Sequence, residues 1–225
     1  MQRGLSHADY GMIFSADTVD GIPVERFRLA HLYVPTGAIV VTDPLVVPDF
    51  LPLSRRISPG TYPIDLYITK TQASGPRIAI ATLTFGSGSV ARYELALRDG
   101  ESIEELKDGR DYFGFPVDAG LGAFYDAETS RVYNEFIDRF YAEHPKGNIY
   151  DDYLAERFKQ NAKRPEDPKD PGNWLDFHIP GSEQHNVAMF QSGYGDGVYP
   201  AYWGIGSAGT AINLVIDFHV LLLPN

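Results

Sequence analysis

Apolar residues at every second position constrain this chain more than any other feature. In residues 60–68, Ile64, Leu66 and Ile68 fall on one face of an extended segment, with Asp65 and Tyr67 on the other. Residues 77–85 repeat the pattern, Ile78, Ile80, Thr82 and Thr84 alternating with Ala79, Ala81, Leu83 and Phe85. A shorter branched run, residues 38–41, is stopped by the turn-forming Thr42-Asp43-Pro44. Further strands are expected at residues 174–179, 187–191, 198–203 and 211–223. Gly86-Ser87-Gly88-Ser89 predicts a hairpin that joins 77–85 to 90–98.

The period changes in the middle of the chain. Val132, Phe136, Ile137 and Phe140 recur at helical spacing, Asp126 stands where an N-cap would, and Pro145 and Gly147 close the segment. A second helix is expected over about 150–162, with Tyr153, Leu154 and Phe158 inward. A polar, proline-rich loop follows at 163–173. The fold class expected is α+β: a mostly antiparallel sheet, sandwich-like or strongly curved, with a central pair of helices. Residues 1–30 are weakly patterned and read as an N-terminal arm, and residues 31–225 as a single globular domain.

Composition narrows function. With 30 acids against 19 bases the formal charge is −11, which disfavours nucleic acid unless a basic stripe overrides it. No stripe shows in the linear sequence, where Arg55-Arg56 stands as an isolated pair. An acidic chain suits a basic protein partner or a divalent cation such as Mg²⁺ or Ca²⁺. The absence of cysteine removes thiolate metal sites, disulfides and cysteine nucleophiles. The first residues hold no apolar stretch of signal-peptide length. The apolar run at 220–223 is too short to span a bilayer, so the expected location is the cytoplasm.

Two glycine-bearing blocks carry the remaining chemistry. The first, residues 114–126, places Asp118 and Asp126 on either side of a turn. The second, residues 186–204, holds Ser192, Asp196 and the aromatics Tyr194, Tyr199, Tyr202 and Trp203. Asp118, Asp126 and Asp196 are candidate metal ligands, and the four aromatics are candidate ligand-stacking residues. Ser192-Gly193-Tyr194-Gly195-Asp196-Gly197 lacks the lysine and following helix of a phosphate loop, and Ser192 lacks the setting of a nucleophile elbow. Gly-Asp-Gly reads more simply as a turn between strands. Two Asp-Phe-His triplets, 176–178 and 217–219, would each put an acid and an imidazole on one strand face. If those strands were adjacent, His178 and His219 would complete a metal triad. The catalytic candidates are therefore Asp118, Asp196, His178 and His219.

Five segments in this order resemble a family of uncharacterised bacterial proteins, domain of unknown function 4241. They are residues 37–44, residues 60–63, the 114–126 block with its Val117-Asp118-Ala119-Gly120 core, the 186–204 block, and residues 214–218. The resemblance spans about residues 30–222. It implies one continuous domain in a bacterial intracellular setting, with no established activity. The family pattern often has serine at Ala119 and tryptophan at Tyr194, which argues against a nucleophile at the former position here. Similarity to proteins encoded near toxin, immunity or defence genes suggests a binding protein, in particular an immunity-type inhibitor of a basic partner. The alternative is a metal-assisted hydrolase built on the clustered aspartates.

Overall fold

The computed structural model describes residues 2–6, 8–71, 75–162 and 172–221. In chain order the strands of the first half are β1 (Leu5–Ser6), β2 (Thr18–Val19), β3 (Ile22–Val34), β4 (Ile39–Thr42), β5 (Gly60–Thr71), β6 (Gly75–Thr84) and β7 (Val90–Leu95). Those of the second half are β8 (Phe115–Val117), β9 (Leu121–Asp126), β10 (Trp174–Ile179), β11 (Ser182–Gln191), β12 (Gly197–Tyr199), β13 (Ala201–Gly206) and β14 (Ala211–Asp217). The helices are α1 (Tyr10–Ser15), α2 (Ala127–Glu143) and α3 (Ala155–Gln160), with a π-helical turn, Tyr150–Leu154, leading into α3.

Among the described residues, eight strands form one antiparallel sheet ordered β1-β7-β13-β14-β6-β5-β3-β2. Four more form a second sheet, β10-β11-β9-β4, and β8 pairs with β12 in a small ladder. The architecture is α+β and mostly antiparallel, with the central helices following β9. Period-two patterning explains the layering. Ile39, Val41, Phe124, Ala188 and Phe190 of the small sheet pack with Ile64, Leu66, Leu83, Leu214 and Ile216 of the large one in the main core. Their neighbours Val40, Ala123, Tyr125, Val187 and Met189 point the other way, into a second core beneath Val132, Tyr133, Phe136, Phe140 and Phe158.

Asp126 opens α2. One carboxylate oxygen accepts from Glu128 N at 2.8 Å, and the other accepts from Thr36 N at 3.1 Å and Thr36 Oγ1 at 2.8 Å. The helix start is thereby tied to the β3–β4 connection. Asp126→Asn keeps a cap oxygen but turns an amide towards Thr36 N. It is expected to cost about 1 kcal/mol in urea unfolding, and an unchanged midpoint would contradict this role.

Three local expectations are corrected. Residues 86–89 do not close a hairpin: β6 pairs with β14 and β7 with β13, so the β13–β14 hairpin is inserted between them. Phe85 N and Gly86 N both donate to Ile212 O, at 2.8 and 3.2 Å, as the linker crosses over that hairpin's end. Residues 198–203 form two strands, broken at Pro200, because β12 belongs to the small ladder and β13 to the large sheet. The described residues of the 1–30 segment are built into the fold rather than forming an arm. Tyr10 and Ile13 of α1 are buried against the outer face of the large sheet, and β3 is its longest strand. The bulge between Arg28 and Ala30 shifts the register of β3, so its alternation changes phase and reads weakly in sequence. On that outer face Arg26 and Arg28 both pair with buried Asp65, at 2.8 and 2.7 Å. Burial pushes the Asp65 carboxyl up, but the hydrogen bonds from Arg28 and Arg26 outweigh it and hold the group below its ordinary value.

The polar loop expected at 163–173 falls mostly outside the described residues. The strand expected over 211–223 ends at Asp217, and residues 222–223 lie outside the described residues. No helix among the described residues is long and apolar enough to cross a membrane.

Candidate functional site

The two glycine-bearing blocks meet along their length. β9 pairs with β11 from Leu121↔Gln191 to Phe124↔Ala188, β8 pairs with β12 through Val117↔Gly197 and Tyr199↔Phe115, and Ser192 N donates to Gly120 O at 3.0 Å between the ladders. One step beyond the Val117↔Gly197 pair, the two chains carry Asp118 and Asp196, both exposed. Their turns are thus neighbours.

Each turn is pinned from behind. Asp43, with no exposed surface, accepts from Asp118 N at 3.1 Å, Ala119 N at 2.7 Å and Leu45 N at 3.0 Å. In the sequence it stands only as part of a turn signal. The other turn is closed by Ser192 Oγ and Tyr199 Oη, which both donate to Gly195 O at 2.8 Å. Ser192 is buried and committed to this contact, which gives it a structural duty in place of a nucleophilic one. Gly193 has φ +55°, and a Cβ there would lie 2.7 Å from Val220 and 2.8 Å from Phe218, so glycine is required on both counts.

What remains in solvent is a mixed acidic and apolar face. Tyr194 is 58% exposed and Val198 52%. Pro116, directly opposite Val198, is exposed, as are Asp118, Ala119 and Asp196. The face continues to His219. Its ring lies 6.1 Å from that of Tyr199 and 5.6 Å from that of Tyr112, while Tyr112 Oη donates to Val198 O at 3.1 Å.

His219 is one of two non-glycine residues with positive φ among those described, at +53°, and sits past the end of β14. Asp217 holds it there by accepting from His219 N at 2.8 Å, while its other oxygen accepts from Tyr10 Oη at 2.9 Å. Burial pushes the Asp217 carboxyl above its ordinary value, against the lowering effects of nearby His219 and the two hydrogen bonds. Burial and the Asp217 charge likewise push the Tyr10 hydroxyl well up.

The sign of the linkage follows. Above the ordinary aspartate value of 3.8, the unfolded carboxyl loses its proton while the native one retains it, so native stability falls as pH rises until the raised native value is passed. Asp217→Asn removes this proton uptake. The stability of the wild type relative to the variant is expected to be greatest near pH 4 and to decline above it. Urea unfolding between pH 4 and 8 checks this, and a pH-independent difference would contradict it.

The other sequence candidates separate. Asp126 is buried, and its oxygens are taken up by the helix cap that its position predicts and by Thr36. Among the described residues no three His, Asp or Glu side chains gather closely enough to hold a metal ion. The two Asp-Phe-His triplets do not form a joint site, because β10 and β14 lie in different sheets. At the first, His178 contacts Asp176 at 3.2 Å and Glu183 O at 2.6 Å. The other Asp176 oxygen accepts from Asn186 Nδ2 at 2.7 Å. The four aromatics do not share one stacking face either. Tyr194 is in solvent, Tyr199 is buried beneath the loop, and Tyr202 lies near Tyr10 on the outer face of the large sheet, 6.0 Å between rings. Trp203, 2% exposed, packs on the inner face with Phe85 at 5.7 Å.

These paired blocks lie within residues 32–216, which match the model of the family described as Protein of unknown function (DUF4241). The chain belongs to the DUF4241 family. The DUF4241 match takes in only the last three residues of β3 but nearly all of β14, and so the whole small sheet and the large sheet without β1, β2 and most of β3. No curated protein and no solved structure matches the chain.

Proposed function

We propose that this DUF4241 protein is a binding protein, and that the face carrying Tyr194, Val198, Asp118 and Asp196 docks a basic protein partner. The observation that carries this reading is the pairing of large exposed apolar side chains with two carboxylates on turns held rigid from behind. Aromatic groups in solvent suit an interface core, and acids around them steer a cationic partner. A chain charge of −11 adds to the same field. An immunity-type inhibitor of a basic toxin is one form such a protein takes.

The test is affinity capture from the native host with the wild type and with an Asp118→Lys/Asp196→Lys variant. The reading expects a stoichiometric basic protein retained by the wild type, released by about 0.5 M salt as screening shortens the field, and lost in the variant. A partner retained equally by the charge-reversed protein, or one that is acidic, would overturn it.

A further inference from the structure

At the β1–β7 edge of the large sheet, the charge balance is the reverse of that of the chain. A hollow of about 630 Å³ is lined by Arg3, Arg55 and Arg92, with Glu94 as its only carboxylate among the described residues. Glu94 is shared, one oxygen on Arg55 at 2.7 Å and the other on Arg92 at 2.6 Å, so it fixes two guanidinium groups without neutralising both. Arg55 is further steadied over the ring of Trp203, 6.0 Å from its centre. Arg3 also lines an adjoining hollow of about 490 Å³ with Lys107, Arg110 and Asp108. Five basic side chains against two carboxylates thus line adjoining hollows in a chain of formal charge −11. Glu104 and Glu105 follow Ile103 in sequence but line neither hollow.

We propose that this is a binding site for a small ligand carrying a phosphate or diphosphate group. Arginine is the residue suited to phosphate because its planar fork donates two parallel hydrogen bonds, and a shared carboxylate pre-orients the Arg55 and Arg92 forks. Leu97 and half-exposed Ile103 supply an apolar wall against which the rest of such a ligand would lie. The residues are scattered at positions 3, 55, 92, 107 and 110, which is why no basic stripe shows in the sequence. This site is independent of the acidic docking face and takes a ligand of opposite charge.

Isothermal titration of the full chain with sodium pyrophosphate and with ADP, at about 20 mM salt, tests the proposal. One saturable site is expected, weakened at least tenfold by Arg55→Gln/Arg92→Gln and at least threefold by Arg3→Gln. Lys70→Gln, an exposed base on β5, should leave it unchanged. Tighter binding of ADP would identify a nucleotide source for the phosphate, and tighter binding of pyrophosphate an inorganic one. Arg3 is exposed and its guanidinium donates to Glu104 O at 3.4 Å, a weak contact, so its variant keeps the test valid if the double variant fails to fold. The proposal is overturned by no binding up to millimolar concentration, by affinity that survives both arginine variants, or by equal weakening in Lys70→Gln.

Discussion

Asp43→Ala is expected to lower stability by about 3 kcal/mol and the melting temperature by about 10 °C. The carboxylate is fully buried and accepts three backbone amides, those of Leu45, Asp118 and Ala119. Alanine leaves three donors without a partner, and a hydrogen bond donated to a charged acceptor contributes about 1.5–3 kcal/mol, not additively. Asp43→Asn is the informative companion. One oxygen can still serve Asp118 N and Ala119 N, but the amide then faces Leu45 N, so a cost of about 1–2 kcal/mol is expected. Chemical denaturation of both variants checks the ordering. An alanine variant within 1 kcal/mol of the wild type would show that the turn holds itself. The functional consequence is separable: because Asp43 positions the Asp118 turn, its alanine variant should also weaken partner capture at temperatures where the protein remains folded.

Phe190→Ala should cost about 4 kcal/mol, the largest single effect expected. Phe190 has no exposed surface and lies on the inner face of β11, with ring centres 5.5 Å from Phe124 and 6.0 Å from Phe218. It therefore joins the small sheet to the chain leaving the large one. Truncation removes apolar burial and opens a cavity between two sheets that move together only partly. Phe190→Leu keeps most of the volume and should cost about 1.5 kcal/mol or less. Equal losses in the two variants would mean that the aromatic contacts, rather than the filled volume, hold the sheets.

The sequence made the architecture legible where one period ruled a whole segment. α2 is the example, because Val132, Phe136 and Phe140 keep one buried face along it. It failed at β3, where the bulge near Arg28 reverses the alternation, and at residues 86–89, where a local hairpin signal was overridden by long-range pairing with β13 and β14. The candidate site was half legible. Glycine density marked the 114–126 and 186–204 blocks, and the two do meet. Asp126 reads both as an N-cap and as a candidate ligand, since a capping carboxylate and a ligating one look alike in sequence, and the cap is what forms. Asp43, Tyr112 and the arginines at 3, 55 and 92 reach their places through tertiary contacts that no local pattern encodes.

A photo-crosslinking amino acid at position 194, introduced in the native host, tests the docking face most directly. Tyr194 is more than half exposed, so the replacement disturbs no packing. The account predicts one dominant crosslinked protein, basic in sequence, that is absent when the probe stands at Lys70 and is lost when Asp118→Lys/Asp196→Lys is added. Crosslinks from position 194 that match those from position 70, or that persist through the charge reversal, would contradict it.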